Sequence, residues 1–151
     1  MSQSLSQLYV HLVFGTKKRL PLIKEDVEAQ LHSYMAGILK NLESTAIIIN
    51  SVPDHVHILF RLSKNYALAK VVEEVKKQSS KWIKDKGIHY QKFSWQIGYG
   101  AFSVSSSGVE NVKNYIKNQK SHHHIRSFQE EVEEFIKQYD VIEYDAKYFW
   151  E

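Results

Sequence analysis

The stretch STAIIINSVPDHVHILFRL, residues 44–62, decides how this chain folds. Ser44 to Val52 is a β-branched run that favours a strand. Pro53 and Asp54 make a tight connection, and His55 to Leu62 is a second strand, so the two form an antiparallel hairpin. Alternation puts Val56, Ile58, Phe60 and Leu62 on one wholly apolar face. His55 and His57 share the other face with Leu59 and Arg61, with the two histidine Cα atoms about 6.5 Å apart. The apolar face calls for a helical layer, and the histidines then lie on the side away from it.

The flanking sequence supplies that layer. Leu8 to Thr16 reads as a strand with Leu8, Val10, Leu12 and Phe14 on one face and Tyr9, His11 and Val13 on the other. From Glu25 to about Leu42, Val27, Leu31, Tyr34, Met35, Ile38, Leu39 and Leu42 have helical spacing. A second amphipathic helix spans Ala67 to Lys86, with Val71, Val72, Val75, Trp82 and Ile83 inward and Gly87 as its stop. Phe93 to Ser105 is β-prone but broken by Gly98 and Gly100, so it predicts a strand with a bulge or two short strands. Ser107 and Glu110 have capping-box spacing for a helix running to about Lys120, and Ser127 and Glu130 repeat it for one running to about Tyr139. The last residues, DVIEYDAKYFWE, are aromatic-rich and are expected to dock on the body or on a partner.

This order predicts an α+β fold: a ferredoxin-like (RRM-like) antiparallel sheet in βαββαβ order plus C-terminal helices, with all 151 residues in one domain. In that topology the first and third strands are neighbours, so His11 joins His55 and His57 on one sheet face.

Composition narrows the function. Apolar residues make up 43% and charged residues 25%, which argues against disorder. No apolar run is long enough to span a membrane, and no signal peptide is read at the start, so a cytoplasmic location is expected. The absence of cysteine excludes disulfides and thiolate metal sites. A net charge of +3 is compatible with nucleic-acid binding without demanding it.

Two constellations carry chemistry. Three imidazoles on one sheet face offer metal ligands, although a lone His-x-His on a strand is also explained by histidines that merely cap a polar edge. In VENVKNYIKNQKSHHH, residues 109–124, Val109, Val112 and Ile116 form an apolar stripe. Tyr115 and Gln119, four residues apart, meet at its margin. From spacing alone, a half-buried tyrosine bonded to a glutamine explains this pair.

His55-Val56-His57 resembles the HUH motif, in which U is an apolar residue, and Tyr115 with Gln119 resembles the tyrosine-x3-glutamine helix of the single-tyrosine HUH transposases of small bacterial insertion sequences. These are the IS200-like transposases, to which the REP-associated tyrosine transposases are related. YVHLVFGTKKR, PDHVHILF, GYGAFSVS and NYIKNQKSHH stand in the family's order, and the similarity runs from about Leu8 to about Glu131.

The resemblance implies an enzyme that cuts and rejoins single-stranded DNA through a 5′-phosphotyrosine, recognising DNA hairpins. Tyr115 would be the nucleophile, and His55, His57 and Gln119 would hold Mg²⁺ or Mn²⁺. By position, His11 on the histidine face and His122 and His123 within a turn of Gln119 are candidates to stand behind that first set, with a helix-end cap as the other reading of His122 and His123. It also implies a homodimer in which the tyrosine helix can dock on the partner's histidine face, giving composite sites. Lys17, Lys18 and Arg19 after the first strand, and the stripe of Lys70, Lys77, Lys81 and Lys84 on the second long helix, are the candidates for contacting DNA phosphates. His32, His89 and His124 are expected at the surface. Two other readings are a non-catalytic single-stranded nucleic-acid-binding module and a metal-dependent phosphodiesterase that activates water.

Overall fold

The computed structural model describes residues 2–123 and 126–150, without the side chains of His122 and His123. Four strands, β1 (Leu8–Gly15), β2 (Thr45–Val52), β3 (His55–Leu62) and β4 (Gly100–Val104), form one antiparallel sheet in the order β2-β3-β1-β4. The helices are α1 (Glu25–Asn41), α2 (Leu68–Lys84), α3 (Val109–Lys117), α4 (Gln119–His123), α5 (Phe128–Gln138) and α6 (Ala146–Phe149). The fold is α+β with ferredoxin-like strand order, as the sequence predicts. No helix among the described residues is long and apolar enough to cross a membrane.

The hairpin read from residues 44–62 is present, and Asn50 lies opposite His57, Val52 opposite His55. On β1, Val13 lies opposite His57 and Gly15 opposite His55. This register sends the even residues of β1 and of β3 to one side. Val10, Leu12, Phe14, Val56, Ile58 and Phe60 are buried there against α1 and α2. The other face carries His11, Val13, His55, His57 and Leu59, and it is buried as well. Val13 and Phe102 pack there against Phe128, Val132 and Phe135 of α5, with Tyr115, Tyr139, Phe149 and Trp150 around them. The aromatic C-terminus therefore docks on the body of the same chain.

Several boundaries differ from the sequence reading, each for a local reason. The 93–105 segment forms a strand only from Gly100, with one isolated bridge between Trp95 and Thr16. Between them Lys76 Nζ donates to the carbonyls of Gln96, Ile97 and Gly98 at 2.7–3.0 Å, which holds those groups out of the ladder. Ser107 does not cap α3: it lies inside a 3₁₀ turn, Ser106–Gly108, with its hydroxyl 3.1 Å from that of Ser105. The helix expected to reach Lys120 breaks at Asn118, whose φ of −95° and ψ of 19° end α3. Ser127 and Glu130 do form the expected reciprocal capping box at the start of α5. Tyr34 is exposed rather than core and stacks on the half-buried Trp82 with ring centroids 5.2 Å apart. His32 is half-buried, 2.8 Å from the Ser51 hydroxyl, whereas His89 is exposed. The readings of His122, His123 and His124 as side chains fall outside the described residues.

Tyr90, buried in the helical-layer core, ties the connection after α2 to the start of α1 by donating to Asp26 Oδ1 at 2.9 Å. Burial and that carboxylate push its phenol up to about 12. The folded chain thus keeps a proton that the unfolded chain releases above its ordinary value of 10.0, so this group's contribution to stability falls as pH rises from 10 to 12. Tyr90→Phe should cost about 1 kcal/mol at pH 7. Denaturant titrations at several pH values should show a shallower alkaline loss in the variant than in the wild type.

Candidate active site

The site grows out of β3. Strand alternation aims both imidazoles at the face covered by α5, and their environments differ. His55 Nδ1 lies 2.7 Å from Asp54 Oδ1, and its ring stacks on Phe128 with centroids 4.1 Å apart and an interplanar angle of 9°. His57 Nδ1 lies 2.8 Å from His11 Nε2. The remaining nitrogens converge: His57 Nε2 is 2.8 Å and His55 Nε2 3.2 Å from the same oxygen, Oε1 of Glu131.

Glu131 stands on α5 because Phe128, Val132 and Phe135 form the helix's apolar stripe, and position 131 falls inside it. Its second oxygen, Oε2, accepts from the Tyr115 hydroxyl and from Gln119 Nε2, the latter at 2.8 Å. One carboxylate therefore touches both histidines, the tyrosine and the glutamine. Asn50 Nδ2 donates to the Ile116 carbonyl at 2.8 Å and to that of Lys117 at 3.3 Å, which ties the C-terminus of α3 to β2 and places Tyr115. Asn118 ends that helix, yet Gln119 at the head of α4 still reaches the carboxylate.

Electrostatics follow from burial. Burial alone would raise the Glu131 carboxyl, but hydrogen bonds from His55 and His57 and their charge outweigh it and hold it far below the usual range. Burial lowers the His55 imidazole, but hydrogen bonds to Asp54 and Glu131 prevail and its net shift is upward. Burial, then the charge of Glu131 and the hydrogen bond to it, push the Tyr115 phenol well up. Arg126, which donates to the Tyr115 hydroxyl at 3.3 Å, acts in the opposite direction. Burial and His57 lower the His11 imidazole to about 3.

Two imidazole nitrogens and a carboxylate oxygen that all lie within 4.8 Å of one another can hold a divalent metal. The donor set fits one on a further count. Gln119 Oε1 is buried with no hydrogen-bond partner among the described residues, and a cation would satisfy it. Glu131, which the sequence reading did not name, stands at the imidazoles together with Gln119, the residue the resemblance makes the third ligand. The signal for Glu131 was present in the sequence: a carboxylate at i+3 of the stripe Phe128, Val132, Phe135, on the face a helix buries.

The sequence of residues 4–119 matches the family described as "Transposase IS200 like". The chain belongs to this family. No curated protein matches it. Two solved structures resemble this member of the family. One is a candidate transposase from Deinococcus radiodurans R1, 22% identical over 79% of this chain and 98% of that one, with a TM-score of 0.61. The other is a REP-associated tyrosine transposase bound to a REP hairpin, 14% identical over 82% of this chain and 74% of that one, with a TM-score of 0.59. At such identities these likenesses establish a shared fold.

The basic residues divide into two groups. Lys17, Lys18 and Arg19 form an exposed 3₁₀ turn just beyond Gly15, the partner of His55. Arg19 donates to Gln129 on α5 at 2.7 Å and lies 4.8 Å over the Trp150 ring. Lys70, Lys77, Lys81 and Lys84 are exposed on α2, in the layer on the opposite side of the sheet, and Lys70 and Lys77 both pair with Glu74. The structure joins the first group to the site and not the second.

Gly15 makes the His55–Phe128 stack possible, since a Cβ there would sit 2.7 Å from the Phe128 ring and 3.1 Å from the Asp54 carbonyl. Gly15→Ala should destabilise the fold by about 1–3 kcal/mol and displace Phe128, visible in the His55 ring-proton shifts. Mn²⁺ at about 100 times its Kd should stabilise the wild-type chain by about 2.7 kcal/mol against unfolding. His57→Ala should lose that metal-dependent rise in melting temperature.

Proposed function

We propose that this protein is a transposase that cuts single-stranded DNA through Tyr115 and rejoins it through a 5′-phosphotyrosine. The observation that carries the reading is the meeting of the Tyr115 hydroxyl and both HUH imidazoles on the single carboxylate of Glu131. Membership of the IS200-like family supports it.

His55, His57 and Glu131 would hold Mg²⁺ or Mn²⁺, with the free Gln119 Oε1 as a further ligand. Bound there, the cation supplies Lewis acidity toward a phosphate oxygen. The chain's own groups do the rest. Tyr115 Oη attacks the scissile phosphorus, its hydroxyl proton passing toward Glu131 Oε2, which already accepts it in a hydrogen bond. The new O–P bond replaces the bond from phosphorus to the 3′-oxygen, which leaves and takes up the proton that the tyrosine has given up. Arg126 beside the tyrosine oxygen offsets the charge that builds on it. The phosphotyrosine keeps one phosphodiester's worth of bond energy, so a second 3′-hydroxyl can displace the tyrosine without ATP. A nucleophilic water would forfeit that link.

The substrate reading extends to hairpins, supported by the structural likeness to a REP-associated transposase bound to a REP hairpin. Lys17, Lys18 and Arg19, at the site's end of the sheet, would carry phosphate contacts near the chemistry, and the α2 lysines would reach only DNA that wraps to the far layer. The homodimer belongs to the same proposal. The outer edge of β4 has no strand partner among the described residues and is available to pair with its copy. Within one chain Tyr115 faces its own His57, ring centroids 5.9 Å apart, which supports a site built within one chain beside the composite one.

Incubation with hairpin-bearing single-stranded DNA and Mn²⁺ should give a covalent protein–DNA adduct on a denaturing gel. Tyr115→Phe should reduce that adduct by about 10³-fold or more without loss of fold. Cleavage that persists in Tyr115→Phe without any adduct would instead establish the water-activating phosphodiesterase. Binding without cleavage in the wild type would establish the non-catalytic module.

A further inference from the structure

A histidine that binds a metal through one nitrogen must carry its proton on the other, and that N–H is held by an acceptor that fixes the ring's tautomer and orientation. For His55 the partner at Nδ1 is the carboxylate of Asp54, the usual kind. For His57 the partner at Nδ1 is another imidazole, His11 Nε2, 2.8 Å away. The two rings lie 5.1 Å apart between centroids, at 29° to one another.

His11 is a costly choice for packing. It is 1% exposed and walled by the rings of Phe102, Phe135 and Tyr115. Its Nδ1 is buried with no hydrogen-bond partner among the described residues. A phenylalanine would fill the same aromatic cage without burying an unsatisfied nitrogen. Among the described residues its side chain's one hydrogen bond is with His57, across the β1–β3 pairing.

We infer that His11 is the positioning residue of the metal centre: its Nε2 accepts the Nδ1–H of His57 and thereby holds His57 Nε2 in ligand form and direction. This rests on the metal reading above and adds a residue to it. His11 itself touches neither metal nor substrate. With a metal bound, its own proton sits on Nδ1, the nitrogen that faces no acceptor.

The test is metal binding by the full chain without DNA. Mn²⁺ titration followed by electron paramagnetic resonance gives the affinity of wild type, His11→Phe and His57→Ala, with melting temperatures measured alongside. Outer partners of metal ligands are worth about 10–100-fold in affinity. His11→Phe should fold, melt no lower than wild type without metal, and bind Mn²⁺ more weakly by that factor. Wild-type affinity in His11→Phe, with affinity lost in His57→Ala, overturns this inference and leaves the metal site standing. Absence of Mn²⁺ binding to the wild type overturns both. Imidazole ¹⁵N spectra of the wild-type chain with saturating Mg²⁺ provide a check that needs no variant. They should show His57 and His11 each protonated on Nδ1, and a His11 protonated on Nε2 would sink the proposal.

Discussion

The site depends on one buried carboxylate. Glu131 is 2% exposed, and an anion at that depth is tolerated only if every lone pair it presents is met by a donor. The donors are the functional groups themselves: two imidazoles at Oε1, a phenol and an amide at Oε2. Satisfying the carboxylate and assembling the site are the same constraint. It reaches outward through the elements that carry the donors. β3 must alternate to aim both histidines, α3 must end where Asn50 anchors it, and α5 must pack through Phe128, Val132 and Phe135 to bring the carboxylate into register.

Much of this was legible in sequence wherever a short-range rule governed it. The period of two in LYVHLVFG and HVHILFRL places all three histidines on one face, and the register pairs Val13 with His57 as that pattern requires. The capping box at Ser127 and Glu130 marks the start of α5. The same alternation already sets the long helices on the side away from the histidines. The distance of the α2 lysines from the site therefore follows from the pattern that located the site. What local rules could not supply is pairing across long separations. Glu131 is 74 residues from His57. Its position on an apolar stripe shows that it is buried but not what receives it. The requirement for glycine at position 15 is equally non-local, since the ring that forbids a side chain there belongs to Phe128.

Both faces of the sheet are buried, but with different chemistry. The α1–α2 side is closed by aliphatic and aromatic side chains packed on one another. The other side surrounds polar groups with aromatic walls: Phe128 against His55, Phe135 and Phe102 against His11. Such walls exclude water and lower the local dielectric, so each remaining charge interacts more strongly with its neighbours. That is why burial, with the Glu131 carboxylate added to it, pushes the Tyr115 phenol up so far, and why an imidazole serves beside His57. A second carboxylate in place of His11 would add another anion to a site that already satisfies one with difficulty.

Two carboxylates face the imidazoles, Glu131 at their Nε2 atoms and Asp54 at His55 Nδ1, and their hydrogen bonds and charge raise the His55 imidazole against the burial that lowers it. A divalent cation held by the imidazoles and Glu131 would bring positive charge to this buried face, and a phosphodiester would then meet that charge instead of an uncompensated carboxylate. Arg126 lies beside the tyrosine oxygen, with a quarter of its side chain exposed. In the proposed reaction charge would develop there only as the tyrosine gives up its proton, so the contribution of Arg126 would grow along the reaction rather than in the resting site.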